Sequence, residues 1–134
     1  MVVDTSFVID AYNARAARHE AVSAWIDIAD EELVTSPLAV AEMDHLVPMR
    51  GGDPAREALW HNLASGALAV RWWADAMTET LAISRDRPDI GLVDASLVAL
   101  ANRLRTDRVA TLDGHFRTLT TAAGKPFTLL PDDA

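Results

Sequence analysis

The sequence predicts an α/β fold with a mainly parallel central sheet. Short apolar segments alternate with longer segments of helical periodicity along the 134 residues, and this order is typical of parallel strands joined by helical crossovers. The first apolar segment, Met1–Asp4, shows no alternation of polar and apolar residues, so both faces of that strand are expected to be buried. The length suits one compact domain over residues 1–134.

Capping signals define the elements in the first half of the chain. Ser36-Pro37 and Asp53-Pro54 each pair a preferred N-cap residue with proline at the first helical position. Pro48 and Gly51-Gly52 are expected to separate the two helices. The predicted order is a strand at Met1–Asp4, helices near Phe7–Tyr12 and 18–30, a strand at Leu33–Thr35, helices from Pro37 to about Leu46 and from Asp53 to about Ala64, and a strand at Leu68–Trp72.

The second half continues the alternation. The strongest helix is predicted over 92–105, where Leu97, Val98, Ala101 and Leu104 share one face. Asp113-Gly114 is a turn signal. The predicted order is a helix near Asp75–Asp86, a loop marked by Pro88 and Gly91, the helix 92–105, and strands at Val109–Leu112 and Phe127–Leu130.

Composition excludes several kinds of site and raises one objection. The absence of cysteine excludes disulfides, zinc–thiolate sites and cysteine nucleophiles, and it fits the reducing cytoplasm, which is the expected location. Neither a signal-peptide pattern nor an apolar run of about 20 residues is found, so no membrane association is expected. The net charge of −8 argues, taken alone, against binding to nucleic acid, which usually relies on clustered Lys and Arg.

Open α/β sheets bind ligands outside the carboxyl ends of their strands, and four carboxylates can converge there if the sheet is parallel, since three of them stand at strand ends or helix starts. Asp4 closes the first strand and Asp113 the fourth, Asp94 opens the strongest helix, and Glu42 lies in the helix after the second strand. Asp4 and Glu42 have apolar sequence neighbours, and a buried carboxylate needs a partner. Taken alone, Asp94 could instead be a helix N-terminal acid and Asp113 a turn residue.

A divalent cation is the most economical partner for these acids. No lysine lies within three residues of any of them. Two like charges about 4 Å apart repel by roughly 4 kcal/mol at an effective dielectric of 20. A cluster of four therefore raises its own pKa values or holds a metal ion. Because hard cations prefer oxygen ligands, the sequence predicts a Mg²⁺ or Mn²⁺ site.

Four segments of the chain each contain one of these acids. They are Val-Val-Asp-Thr-Ser-Phe-Val-Ile-Asp at the N-terminus, Ala-Val-Ala-Glu at 39–42, Gly-Leu-Val-Asp-Ala-Ser-Leu-Val-Ala-Leu-Ala at 91–101, and Val-Ala-Thr-Leu-Asp-Gly-His-Phe at 109–116. In this order and spacing they resemble the PIN-domain family, and more narrowly the VapC toxins of bacterial toxin–antitoxin pairs. The resemblance runs essentially end to end.

The resemblance implies a PIN-like three-layer α/β/α sandwich and a Mg²⁺- or Mn²⁺-dependent endoribonuclease. The acidic residues of the family correspond here to Asp4, Glu42, Asp94 and Asp113. The first three are interpreted as the main metal ligands, and Asp113 as a ligand of a second or weaker site.

The same resemblance implies supporting hydroxyls and partners. A hydroxyl residue after the first aspartate often assists, which points to Ser6, with Thr5 less favoured, and Thr111 matches the hydroxyl residue before the last acid. The expected partners are an RNA substrate, a second copy in a homodimer, and a VapB-like antitoxin. The antitoxin would have a DNA-binding N-terminus and a C-terminal segment that blocks the toxin groove.

The net charge of −8 is a weaker argument against RNA binding than it first appears. A bound metal would neutralise some of the acids, and local arginines can hold the RNA backbone. Eleven of the twelve basic residues are Arg, which suits bidentate contacts to phosphate. For each candidate a solvated surface role is an equal alternative. The RNA-binding candidates are Arg15, Arg18, Arg85, Arg87 and Arg117.

Three further residues are interpreted as surface groups. Asp44 and Asp89 lie close in sequence to Glu42 and Asp94, where outer-shell acids could stand, but solvent-facing charge is the favoured interpretation. His115 beside Asp113 could contact substrate, and a surface turn histidine is favoured.

Rival functions use a similar scaffold. A phosphoacceptor receiver domain would explain Lys125-Pro126, but it needs paired acids after the first strand. A dehalogenase-type phosphatase needs an aspartate where Ser6 stands. A non-catalytic binding module is the third rival, and retention of all four acids argues against it.

Overall fold

The computed structural model describes all residues, 1–134, as alternating strands and helices. A short 3₁₀ turn, Gly114–Thr118, separates the last two strands. In chain order the elements are β1 (Val2–Val3), α1 (Thr5–Tyr12), α2 (His19–Ile28), β2 (Leu33–Thr35), α3 (Pro37–Ser65), β3 (Leu68–Val70), α4 (Ala76–Asp86), α5 (Leu92–Leu104), β4 (Arg108–Ala110) and β5 (Thr128–Leu130). No helix combines the length and the apolar character needed to cross a membrane.

All five strands form one parallel sheet in the order β3-β2-β1-β4-β5. Val2 of β1 lies opposite Val34 on one side and Val109 on the other. The chain therefore steps outward from β1 to β2 and β3, and then returns to the other side of β1. The gap between β1 and β4 is the switch point at which open α/β sheets bind ligands.

Both faces of the sheet are covered, which confirms the predicted three-layer sandwich. Successive residues of a strand point to opposite faces. Val2 and Val3 are nonetheless both buried, with 0% and 1% exposure, as are Val109 and Ala110 in β4. Helices on each face supply the apolar contacts, and the buried side chains form one continuous cluster through the sheet.

The third helix differs from its prediction. It was expected to end near Leu46, but the helical backbone continues through Pro48 and is interrupted only at Gly52, where φ is 73° and ψ is −170°. Met43 and Val47 are completely buried. Burial of this face outweighs the backbone hydrogen bond that Pro48 cannot make. The second predicted helix, from Asp53, is the part of α3 that follows the break.

Gly52→Ala is expected to lower the free energy of unfolding by about 1–3 kcal/mol, because this backbone conformation is open almost only to glycine. Urea denaturation measures the loss. Gly114→Ala is the matched control, since Gly114 has no positive φ and a Cβ there would meet nothing within 4 Å. Equal stability of the two variants would contradict the strain assigned to Gly52.

Candidate active site

The pairing of β1 with β4 creates the site. The backbone N–H of Asp4 donates to the carbonyl of Ala110 at 2.9 Å, and that of Thr111 donates to the carbonyl of Leu130 at 3.0 Å. These bonds extend the parallel ladder one residue past the strands. Asp4 and Thr111 are thereby set side by side at the carboxyl edge of the sheet, in the switch-point gap.

Asp4 is a buried carboxylate, with 4% of the residue exposed. One oxygen accepts the backbone N–H of Thr5 at 2.8 Å, so Asp4 also caps α1. The other oxygen accepts the hydroxyls of Ser6 and Thr111, both at 2.8 Å. None of its partners is basic, and burial raises the pKa of Asp4 even though these hydrogen bonds lower it. The site therefore contains a buried acid without a protein cation.

The two hydroxyls also fix the loop that leaves β4. The Ser6 and Thr111 oxygens lie 3.2 Å apart. Ser6 Oγ accepts the N–H of Leu112 at 3.0 Å, and Thr111 Oγ1 accepts the N–H of Asp113 at 3.0 Å. Thr5 differs, because its buried hydroxyl has no hydrogen-bond partner. Of the two hydroxyl residues considered after Asp4, the structure brings Ser6 to the carboxylate and leaves the Thr5 side chain aside.

Asp113 and Asp94 meet at His115. Asp113 caps the 3₁₀ turn, with one oxygen accepting the N–H of His115 at 2.9 Å. Its other oxygen lies 3.1 Å from Nδ1 of His115, and an Asp94 oxygen lies 3.9 Å from the same nitrogen. Sequence reasoning favoured a plain surface turn for this histidine. Its ring is largely exposed, as expected, but it also bridges two of the four acids.

The pKa of Asp94 is shifted by burial and by the charges of the other three acids. It stands in the first turn of α5 and is partly buried. Burial, followed by the charges of Asp4 and Asp113, raises its pKa to about 6, and Glu42 acts in the same direction while His115 opposes them. The side chains predicted from scattered positions therefore share one electrostatic environment.

Glu42 reaches this environment because the starts of α3 and α5 are joined. The buried hydroxyls of Ser36 and Ser96 lie 2.7 Å apart. Ser36 Oγ also accepts the N–H of Ala39 at 3.2 Å, and Ser96 Oγ donates to the carbonyl of Val93 at 2.6 Å. This contact braces the two helices that carry Glu42 and Asp94. Ser96 was not recognised from the sequence, and no sequence signal distinguishes it from an ordinary core serine.

The four acids fit a hard divalent cation in chemistry. All their donor atoms are carboxylate oxygens, and the mutual repulsion that raises the Asp94 pKa is the condition that a bound cation relieves. No three of the histidine and acidic side chains lie close enough to hold an ion directly. One ion held by these acids would therefore need water molecules to complete its shell, as Mg²⁺ usually does, or rotation of the side chains.

The five candidate RNA-binding arginines separate into two groups. Arg18 pairs with Asp132, Arg87 with Asp89 at 2.7 Å, and Arg117 with Asp133 at 2.7 Å. Arg15 and Arg85 are exposed and make no ion pair. Three of the five candidate arginines therefore already form ion pairs with carboxylates of the same chain.

Asp44 and Asp89 are surface ion pairs. Asp44 accepts two hydrogen bonds from Arg56, at 3.0 and 3.1 Å, and one from the Trp60 indole at 2.6 Å, which lower its pKa. The hydrogen bonds from Arg87 lower the pKa of Asp89 to about 2. Each acid is satisfied by its own arginine.

The receiver interpretation is excluded by the position of Lys125. This residue lines a cavity with Asn102 and Arg105 at the C-terminal end of α5. Asp94 lies at the opposite end of that 13-residue helix, which is about 20 Å long. Lys125 therefore cannot contact a phosphoryl group held at Asp4.

Asp94→Asn is expected to stabilise the metal-free protein at neutral pH. With its pKa raised from 3.8 to about 6, Asp94 destabilises the fold once it ionises. The loss grows as the pH rises from about 4 to about 6 and is constant above that, with an upper limit of about 3 kcal/mol. Urea unfolding in EDTA at acidic and neutral pH measures it.

Asp89→Asn is the control with the opposite sign, because the lowered pKa of Asp89 means that its ionised form stabilises the fold. This variant should show unchanged or reduced stability at neutral pH. Lower stability of Asp94→Asn than of the wild type, in EDTA at neutral pH, would contradict the assigned repulsion.

Comparison with known proteins identifies the family of the chain. A family model for the PIN domain matches residues 1–121. Ribonuclease VapC26 of Mycobacterium tuberculosis (strain ATCC 25618 / H37Rv) is 38% identical over 135 aligned positions, which cover 98% of this chain and 100% of the relative. The fold also matches the crystal structure of VapC20 of Mycobacterium tuberculosis, described as a sarcin-ricin loop cleaving toxin. That match has a TM-score of 0.79 and 23% identity, and it covers 87% of this chain and 92% of that one. The resemblance seen in the four sequence segments is thus confirmed, and the chain belongs to the PIN-domain family.

Proposed function

We propose that this chain is a metal-dependent endoribonuclease toxin of a toxin–antitoxin pair, with residues 1–134 acting as a single domain. One observation carries the proposal: Asp4 is buried without a basic partner, while burial and the charges of Asp4, Asp113 and Glu42 all raise the pKa of Asp94. Such an arrangement costs folding stability and is explained by a bound cation. The name of the 38% identical relative, a ribonuclease, supports RNA as the substrate class.

The position of each acid suggests its role in metal binding. Asp4, Glu42 and Asp94 are assigned as the main ligands of Mg²⁺ or Mn²⁺, and Asp113 as a ligand of a second or weaker site. When bound, the metal would neutralise phosphate charge and lower the pKa of water so that it can attack phosphorus. Asp4 cannot rotate, because Ser6 and Thr111 both donate to one of its oxygens. Asp4 is therefore oriented before substrate arrives.

The proposed role of His115 is to hold Asp94 and Asp113 rather than to act as an isolated base. Its Nδ1 lies 3.1 Å from Asp113 and 3.9 Å from Asp94. A proton on that nitrogen would attract both carboxylates toward one another. The exposed ring can also contact the RNA strand that enters the site.

The proposed partners are a VapB-like antitoxin and a second copy of the chain, acting in the cytoplasm where the RNA substrate is found. Exposed apolar side chains support a covered surface near the edge strand β3, where Val70, Trp72 and Met77 are 40%, 37% and 41% exposed. Light scattering on the purified chain tests the dimer. Co-expression with the neighbouring gene product tests the antitoxin.

Incubation with total RNA and Mg²⁺ or Mn²⁺ should give discrete cleaved ends, which EDTA abolishes. Asp94→Asn should reduce this cleavage to background, and Mg²⁺ should raise the melting temperature of the wild type but not of the variant, because a main ligand is lost. End mapping and calorimetry measure the two effects. Asp89→Asn should behave as wild type in both. Full cleavage by Asp94→Asn would refute the site, whereas a wild-type metal response without cleavage would favour a non-catalytic module.

Ser6→Ala should lower kcat/KM by about 10- to 100-fold, the usual loss when a partner that orients a metal ligand is removed. Thr5→Val is the matched control: it deletes a neighbouring hydroxyl that has no partner, and keeps the shape of the side chain. Its activity should stay within a few-fold of the wild type. Equal losses in the two variants would mean that the Ser6 contact with Asp4 has no special role.

A further inference from the structure

A polar cavity lies away from the carboxylates, between the end of α1 and the break in α3. Its volume is about 430 Å³, and its lining includes Arg15, Arg50, Asn13 and the backbone of Gly51 and Gly52. None of the lining residues is acidic. The site described above does not use this cavity.

The two arginines of this cavity are free, in contrast to most others in the chain. Arg15 and Arg50 are exposed and make no ion pair. The nearby carboxylate of Asp44 is engaged by Arg56 and the Trp60 indole. The paired arginines are Arg18, Arg56, Arg71, Arg87, Arg108 and Arg117. On a chain with a net charge of −8, this cavity is thus lined by two unpaired arginines and by no acid, which gives it a locally positive charge.

The backbone builds this cavity. Gly51 lets α3 approach α1 closely, since a Cβ at this position would lie 3.0 Å from the carbonyl oxygen of Tyr12. Gly52 then breaks the helix with its positive φ. On the α1 side, the Arg15 N–H donates to the Asn13 side chain at 3.1 Å and shapes the loop. Both arginines are thus set on the two walls of one cavity by local structure.

The cavity has a defined separation from the carboxylates. Tyr12 follows Asp4 by eight residues along α1, and Arg50 follows Glu42 by eight residues along α3. At about 1.5 Å of rise per residue, both paths give a separation of about 12 Å. A substrate strand that extends a few nucleotides past the carboxylates would therefore reach the cavity.

We propose that the Arg15–Arg50 cavity binds one backbone phosphate of the RNA substrate, a few nucleotides from the bond that is cleaved; this rests on the proposed ribonuclease function. Two guanidinium groups can surround a phosphate with charge-assisted hydrogen bonds. RNA is favoured over an acidic protein segment, because the substrate must be held on a strongly acidic protein. The helices that carry Asp4 and Glu42 lead directly to this cationic cavity.

The test uses the double variant Arg15→Gln/Arg50→Gln in a binding assay independent of cleavage. Fluorescence anisotropy in EDTA measures the binding of a labelled single-stranded RNA, long enough to span the carboxylates and the cavity, over a range of salt concentrations. The Kd is expected to rise about tenfold or more, as for lost hydrogen bonds to a charged group. The slope of log K against log salt should fall by about 0.7, the value for one phosphate of a single strand. Lys125→Gln removes one positive charge at the other end of α5 and should change neither quantity.

A second arm compares substrate lengths. The double variant should lose kcat/KM on the long RNA but cleave a dinucleotide that spans the scissile bond as the wild type does, because the dinucleotide cannot reach the cavity. Its melting temperature should match that of the wild type. Absence of cleavage by the wild type would count against the proposed function, while the EDTA binding assay still reports on the cavity.

Three results would overturn the cavity proposal. The first is an unchanged Kd and salt slope for the long RNA. The second is an equal loss on the long RNA and the dinucleotide, which would place the arginines at the catalytic centre or in the fold. The third is a loss of antitoxin binding with RNA binding intact, which would assign the cavity to an acidic protein segment.

Discussion

The hydrogen bond from the Thr111 hydroxyl to Asp4 joins β1 to β4 at the centre of the molecule, and the site depends on it. Burying a carboxylate costs several kcal/mol, whereas each hydrogen bond to a charged group returns about 1.5–3 kcal/mol. Asp4 accepts three such bonds, at 2.8 Å each, and its pKa is still raised. Desolvation therefore outweighs the protein's own stabilisation, and the residual need for positive charge is what makes the position suitable for a cation.

Around Asp4 and Thr111, the other acids lie on elements that are stabilised independently of the site. Asp113 caps the 3₁₀ turn, and Asp94 lies in the favourable first turn of α5. Glu42 is brought close by the contact between Ser36 and Ser96, which fixes two helix starts at once. The structural roles considered for Asp94 and Asp113 are therefore real, and they are compatible with the metal-ligand roles proposed for the same residues. The hydrogen bond by which Asp113 caps the 3₁₀ turn also fixes the orientation of its carboxylate, and a metal ligand must have a fixed orientation.

The distribution of charge explains how an acidic chain can act on RNA. Most arginines pair with surface carboxylates, including three that the sequence suggested for RNA. Such exposed pairs contribute little stability, but they remove these arginines from the electrostatic potential that a ligand meets. Arg15 and Arg50 are left unpaired in a cavity free of acids. The net charge is thus a poor guide, and the arrangement of free charge matters more.

The sequence by itself determined the element types, the parallel sheet and the four acids, because apolar runs, cap residues and strand ends are local signals. Ser6 and Thr111 could also be predicted from the sequence, since they lie within two residues of those acids. The sequence could not determine that α3 continues through Pro48, that Ser96 meets Ser36, or which arginines are free. The Ser36–Ser96 contact joins residues 60 positions apart and the Arg18–Asp132 pair joins residues 114 positions apart, while the continuation of α3 depends on burial of Met43 and Val47. Only tertiary packing sets such distances, because the free energy of a contact between distant residues depends on both residues and their surroundings. The local sequence around either residue does not contain that information.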